Sequence, residues 1–217
     1  MGLRMGDIVI IDYGHGNLKS IQRGFEEVGK KTILSSDPVI VSNAGRLVLP
    51  GVGSFGSGIR HLKELGLFDA VYDFVKKGNP LLGICLGMQM LFDSGNEHGM
   101  HKGLGLIPGV VDKISEKSET KINRKIPHIG WSALTTLGCG SDWADSCLNN
   151  INQGDYVYFV HSYMAILEGN KYLLSQCSDE GLLIPAAVKR DNITGLQFHP
   201  EKSGRIGLQI LSDFSNL

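Results

Sequence analysis

Pro80-Leu81-Leu82-Gly83-Ile84-Cys85-Leu86-Gly87 is the stretch from which the fold is read. An apolar run enters a Gly-x-nucleophile-x-Gly turn, the pattern of a strand that delivers a nucleophile to the start of a helix. The two glycines allow backbone angles and close approaches that a Cβ would block. A thiol placed there stands above a sheet edge beside the first N–H groups of a helix, a setting that favours thiolate. Cys85 is therefore a candidate covalent nucleophile. A cysteine after a strand is also, commonly, a small buried hydrophobe, and the turn alone does not separate the two readings.

Upstream of this turn, strand and helix alternate. Asp7 to Tyr13 is an apolar strand closed by Gly14-His15-Gly16. Asn17 reads as an N-cap, and Leu18, Ile21, Phe25 and Val28 form one helical face before Gly29 stops it. Thr32-Ile33-Leu34 is a short strand, and Ser36-Asp37-Pro38 opens a second helix. Leu47-Val48-Leu49 is a third strand that runs into Pro50-Gly51-Val52-Gly53. One helix is expected next, burying Ile59, Leu62, Phe68, Val71 and Val75. This rhythm implies a parallel sheet covered by helices on both faces. From Leu104 to His199 strands dominate: Gly109 to Ile114, His128 to Leu134, Tyr156 to Ile166, Tyr172 to Ser175, and two around Arg190-Asp191-Asn192. Antiparallel pairing is expected there. A closing helix spans Ser203 to Phe214. No linker, repeat or low-complexity segment divides the chain, so residues 1–217 are read as one domain.

The composition narrows the function. With 42% hydrophobic and 20% charged residues the chain has the balance of a soluble globular protein. A net charge of −1 without a basic block leaves no footprint for nucleic acid. No apolar run is long enough to suggest a membrane span, and Met1 to Gly6 lacks the apolar core of a signal peptide; Met5-Gly6 is an alternative start. Cys85, Cys139, Cys147 and Cys177 form no metal-type pair and no evident disulfide framework, so a reducing cytoplasm is the simplest setting.

A cysteine nucleophile needs a base. His199-Pro200-Glu201 follows the apolar strand Gly195 to Phe198. In an extended stretch residues two apart point the same way, so Glu201 is expected to orient His199 toward Cys85, in the order nucleophile, base, orienter. Taken singly, His-Pro-Glu is a surface turn and Pro50–Gly53 a glycine turn. Taken together with the elbow they are specific, because loop glycines let backbone N–H groups face a reacting carbonyl.

With these residues in view the chain resembles the class I (triad) glutamine amidotransferases over nearly its whole length. The resemblance rests on Asp12 to Leu18, Leu49 to Gly53, Gly83 to Gln89, Gly103 to Leu106, Pro127 to Trp131, Tyr158 to Tyr163 and Gln197 to Gly204, in that order. Within the family, the Pro-Gly-Val-Gly loop and the His-Ser-Tyr segment resemble the glutaminase subunits of imidazole glycerol phosphate synthase. The resemblance implies a flavodoxin-like α/β fold, with a mostly parallel central sheet, helices on both faces and a smaller antiparallel sheet. It implies a catalytic Cys85, His199 and Glu201, and hydrolysis of glutamine through a thioester. Gly51, Val52, Gly53 and the N–H of Leu86 are implied to hold the oxyanion, and Gln89, His161, Ser162 and Tyr163 to contact L-glutamine. Asn17, Tyr158 and Lys202 match positions at the interface with a (β/α)8 barrel cyclase, the implied partner, which takes the ammonia. No metal or cofactor is implied.

Lys202 also reads as a plain exposed lysine, and Trp131 reads as core packing. Two departures concern the partner: Ser132 stands where the family pattern continues with Asn, and His15 where Ser, Val or Pro is common. Ser141 to Asn150 matches nothing in the pattern. The alternative function is a paralogous glutaminase that supplies ammonia for amidating a surface sugar. A glutaminase of pyridoxal-phosphate synthesis is disfavoured by the Pro-Gly-Val-Gly loop. A catalytically silent regulatory subunit is the non-enzyme alternative, and an intact Cys85, His199 and Glu201 argues against it.

Overall fold

The computed structural model describes residues 7–117, 124–137 and 143–217. Met1 to Gly6, Cys139 and the start of the Ser141 to Asn150 segment lie outside them. The alternating half of the chain forms β1 (Ile8–Ile11), α1 (Leu18–Glu27), β2 (Thr32–Ser35), α2 (Pro38–Ser42), β3 (Arg46–Leu49), α3 (Phe55–Glu64), α4 (Leu67–Lys76), β4 (Leu81–Ile84) and α5 (Leu86–Met90). Asp37 caps α2, its carboxylate accepting the Val39 N–H at 2.8 Å. Asn17 stands at the N-cap of α1 but its side chain makes no capping bond. The single helix expected after Gly53 is two, α3 and α4. Gly66 breaks it, with φ at 69° in the left-handed region that a continuing helix cannot use.

The second half adds β5 (Phe92–Asn96), β6 (Met100–Lys102), β7 (Ile107–Lys113), β8 (His128–Ala133), β9 (Tyr156–His161), β10 (Tyr163–Ile166), β11 (Leu173–Asp179), β12 (Leu182–Arg190) and β13 (Ile193–Leu196), a 3-10 turn at Pro200–Lys202, and α6 (Gly204–Phe214). Among the described residues the main sheet runs β11-β12-β13-β4-β3-β1-β2. Its parallel strands β2-β1-β3-β4-β13 follow the flavodoxin-like order 2-1-3-4-5, and β12 and β11 extend the β13 edge in antiparallel fashion. The antiparallel pairing expected after Leu104 holds for β13 on the side of β12, while its other edge lies parallel to β4. A second sheet, β10-β7-β5-β6, is antiparallel except at β5–β7. The strand expected from Tyr156 to Ile166 is divided at Ser162: β9 pairs with β8 in a separate ribbon, and β10 joins β7. The hairpin β5–β6 was not expected, because Asp93, Ser94, Gly95 and Asn96 carry no apolar alternation.

Period-two side chains divide the core. Ile8 and Ile10 of β1 face Phe25 and Phe214 under α1 and α6, whereas Val9 and Ile11 face Leu62, Val71 and Phe74 under α3 and α4. Burying each of these side chains is worth roughly 1.5–3 kcal/mol, so both helical layers are held by the strands they cover. Trp131 does not join either cluster. It is exposed on the β8–β9 ribbon with its ring edge on Tyr158, since the β8 side chains alternate and only His128 is fully covered.

The elbow locks onto its neighbours through missing side chains. A Cβ on Gly87 would lie 1.8 Å from the Leu49 carbonyl oxygen, and a Cβ on Gly83 would lie 2.9 Å from the Gly87 carbonyl carbon. The start of α5 thus rests directly on the ends of β3 and β4. Gly87→Ala is expected to destabilise the fold by about 3 kcal/mol, since backbone must move to admit the methyl group. Gly78→Ala, at a φ of 78° with open space around it, is expected to lose only about 1 kcal/mol. Urea unfolding of the two variants measures the difference.

Candidate active site

Cys85 is the residue at which β4 stops. Its φ of 53° and ψ of −111° are unusual for a side chain with a Cβ, so the strain of the turn falls on the cysteine itself and not on the flanking glycines. Two backbone bonds hold it: the Cys85 N–H donates to Leu196 O at 2.8 Å, and the Gln89 N–H donates to Cys85 O at 3.1 Å. The sulfur is 4.0 Å from the Val160 carbonyl oxygen and 3.9 Å from Gln197 Nε2. Cys147 and Cys177 differ in kind. Both are fully buried, and burial pushes each thiol up to about 12, which keeps them protonated and inert.

His199 leaves β13 in an extended conformation, and its N–H donates to Tyr158 O at 2.9 Å. The next three residues turn in a 3-10 helix, which brings Glu201 back beneath the ring: Nδ1 lies 2.8 Å from Glu201 Oε1. The expected pair is present, but a turn makes it, not strand alternation. Ser203 braces the turn, its hydroxyl donating to His199 O at 2.7 Å and accepting the Tyr158 N–H at 2.9 Å. The Glu201 side chain is almost wholly buried beside Gly24 of α1, and its Oε2 has no partner among the described residues. Burial by itself lowers the His199 pKa. Hydrogen bonds and charge from Cys85 and Glu201 outweigh it and push the imidazole up to about 10. A cationic imidazole against the sulfur is the partner that a thiolate nucleophile needs.

The dyad opens into a cavity of about 290 Å³, enough for one small molecule. Of the residues singled out in the sequence, Asn17, Val52, Gly53, Cys85, Leu86, Gln89, His161, Ser162, Tyr163, His199 and Lys202 line it. Gly51 does not. It packs one layer below, where a Cβ would lie 2.7 Å from the Tyr13 hydroxyl and 2.9 Å from Gly87 N. Tyr13 donates to Pro50 O at 2.8 Å and so ties the β1 end to this loop. Tyr158 and Glu201 do not line the cavity either. Lys202 Nζ lies 5.9 Å from the Tyr158 ring centroid, and the Tyr158 ring in turn meets Trp131, so the three form a row beside the cavity mouth.

Three lining or contacting groups were missed. Glu97, from the unexpected β5–β6 hairpin, borders the cavity while its Oε2 accepts the Phe55 N–H at 2.7 Å at the start of α3. Val160 supplies the carbonyl near the sulfur. Gln197 Oε1 accepts from Gln89 Nε2 at 2.9 Å. Gln197 was open to detection, because it lies two residues before His199 on the same strand end; nothing in the sequence pointed to Glu97. Among the described residues no cluster of side chains has metal-ligand character, and no helix is long and apolar enough to cross a membrane.

Comparison with known proteins shows the family and the fold. A model of the family described as glutamine amidotransferase class-I matches residues 9–216. The chain is 43% identical to imidazole glycerol phosphate synthase subunit HisH 1 of Legionella pneumophila (strain Lens), over 97% of this chain and 99% of that protein. It is 41% identical to the HisH subunit of Aquifex aeolicus (strain VF5), over 95% and 94% of the two chains. Among solved structures it is similar in fold to a glutamine amidotransferase with a TM-score of 0.71 at 15% identity, covering 96% of this chain and 99% of the other. It is also similar in fold to a chain of PurLQS from Thermotoga maritima, with a TM-score of 0.70 at 16% identity over 97% of each chain. The chain belongs to the class I glutamine amidotransferases.

Proposed function

We propose that this chain acts as one amidotransferase domain, the glutaminase subunit of an imidazole glycerol phosphate synthase. It hydrolyses L-glutamine and passes the ammonia to a (β/α)8 cyclase, and the synthase makes imidazole glycerol phosphate and an aminoimidazole carboxamide ribotide. The observation that carries this reading is the Cys85–His199–Glu201 arrangement at the floor of a cavity sized for one amino acid.

The chemistry follows from the atoms. Cys85 Sγ attacks the side-chain amide carbon of glutamine. The developing oxyanion is held by the Leu86 N–H and the Gly51–Gly53 loop. His199, cationic and oriented through Nδ1 by Glu201, gives its Nε2 proton to the amide nitrogen, the C–N bond breaks, ammonia leaves and a glutamyl thioester remains. His199 then takes a proton from water, which attacks the thioester and releases glutamate. Gln89 spends both amide hydrogens on Tyr163 O and Gln197 Oε1, which leaves its Oε1 to accept from the ligand. The Glu97 carboxylate at the cavity wall suits the α-ammonium group, and His161 and Tyr163 form the wall with Ser162.

Ammonia in open water is protonated and lost, so its release calls for a docked acceptor. Ile129, Trp131 and Tyr156 expose apolar surface on the β8–β9 ribbon, continuous with Tyr158, Lys202 and Asn17 at the cavity mouth. This apolar row supports a docked subunit over a free-standing hydrolase. It fits both a histidine-pathway cyclase and a sugar-amidating synthase; the relatives named HisH favour the first.

The direct test is glutamate release from glutamine with and without the cyclase. Cys85→Ser is expected to lower it at least about 10³-fold, and unchanged release would sink the thioester mechanism. Glu201→Gln removes the negative charge that helps hold His199 protonated. The His199 pKa then falls, and the alkaline limb of the kcat/KM profile is expected to move to lower pH by about one unit or more. Trp131→Ala is expected to weaken cyclase binding about 30-fold while leaving the lone subunit folded, as measured by titration calorimetry.

A further inference from the structure

A pair of histidines runs from the cavity wall into the protein. His128 on β8 and His161 at the end of β9 are both buried, and their rings meet edge to face with His128 Nδ1 3.1 Å from His161 Nε2. His161 Nδ1 lies 2.9 Å from the Tyr163 carbonyl oxygen, and His128 Nε2 lies 3.1 Å from Ser132 Oγ. Phe159 stacks on His128 at a centroid distance of 5.1 Å and fixes its plane.

The partners dictate where each proton sits. A carbonyl oxygen only accepts, so His161 Nδ1 carries a hydrogen. A neutral ring then has a lone pair on Nε2, which must accept, so the hydrogen between the rings belongs to His128 Nδ1. The lone pair of His128 Nε2 in turn accepts from the Ser132 hydroxyl, a group free to rotate and donate. Neutrality follows from burial, which holds both imidazoles below their ordinary values. At His161 the His199 charge acts in the same direction and the Tyr163 carbonyl opposes it, and at His128 Asp179 and Arg124 oppose each other. The order does not end at His161. The Tyr163 carbonyl also accepts from Gln89 Nε2 at 3.0 Å, and that amide hydrogen-bonds Gln197, whose own Nε2 faces the Cys85 sulfur.

We propose that His128 is a positioning residue: braced by Ser132, it donates to His161 Nε2 and so, together with the Tyr163 carbonyl, fixes His161 as the neutral Nδ1–H tautomer and holds that carbonyl and the Gln89 amide in the orientation that receives the ligand. With the opposite tautomer, His161 Nδ1 would face the Tyr163 oxygen lone pair to lone pair. The ring or the carbonyl would then turn, and Gln89 would lose the acceptor that points its oxygen at the cavity. Ser132 gives this chain its own version of the relay, since a hydroxyl stands where the family pattern has an amide. The ligand half of this inference rests on the cavity being the glutamine site; the tautomer half does not.

Long-range 1H–15N NMR of the full chain labelled with 15N-histidine reads the tautomers directly. At pH 7 both rings are expected to be neutral with the hydrogen on Nδ1; a cationic or Nε2–H His161 overturns the proposal. In His128→Phe, the His161 signals are expected to shift toward the Nε2–H form. His128→Asn, whose amide donates from the place of Nδ1, is expected to restore them. In glutamine hydrolysis with the cyclase, His128→Phe is expected to raise KM about tenfold, the loss of one buried hydrogen bond, with kcat within about twofold. His128→Asn should return KM to within about twofold of the parent. Unchanged KM and tautomer in His128→Phe, or no rescue by Asn, overturns the proposal. The parent spectrum is decisive even if a variant fails to fold. Correct tautomers in a protein that hydrolyses no glutamine would count against the proposed function and leave the tautomer relay intact.

Discussion

At the end of β4 a cysteine backbone is held at a φ of 53°, and the arrangement of the site depends on it. The conformation survives because neighbours over-determine it: β13 takes the Cys85 N–H, α5 returns a hydrogen bond to its carbonyl, and Gly87 rests against the carbonyl of Leu49 at the end of β3. Three strand ends are thereby drawn to one point. β3 supplies the Pro50–Gly53 loop, β4 the sulfur and β13 the imidazole. These are the carboxyl ends of parallel strands, where an open α/β sheet gathers its ligand groups.

Around that point the chain separates the groups that must be charged from those that must stay neutral. His199 has a buried carboxylate on one side and the thiol on the other, and is held protonated. His161 is as deeply buried but faces a carbonyl, another histidine and the His199 charge, and is pushed down to about 4, chiefly by its burial. Two imidazoles in one cavity are thus driven in opposite directions by their surroundings, so one can carry a proton to a leaving group while the other serves as fixed wall. The β8–β9 ribbon joins this wall to the surface, since His128 points inward from the strand that turns Ile129 and Trp131 outward.

The repeat of strand and helix up to Gly87 was legible because each element carries its own signal: an apolar run, a cap at Asp37, a stop at Gly29. The later strands were found but assigned poorly. Tyr156 to Ile166 is apolar apart from His161 and Ser162, and nothing local marks Ser162 as the place where the chain leaves one sheet for another. The β5–β6 hairpin hid because its residues are polar and its pairing with β7 is remote. Trp131 was expected in the core from its size, yet β8 belongs to a two-stranded ribbon with one face uncovered.

From the sequence alone came the candidate nucleophile, base and orienter, the glycine loop and the parallel sheet, because close spacing and local backbone demands record them within a few residues. The tertiary structure decided how they meet. It put the strain of the turn on Cys85, brought Glu201 to His199 through a 3-10 turn, set Gly51 below the cavity, and carried Glu97 to the wall from a distant hairpin. It also decided the proton order of Ser132, His128 and His161. The places of Gly51, Glu97 and the His128–His161 pair are set by residues far apart in the chain, and long-range pairing leaves no periodic mark for a sequence reading to find.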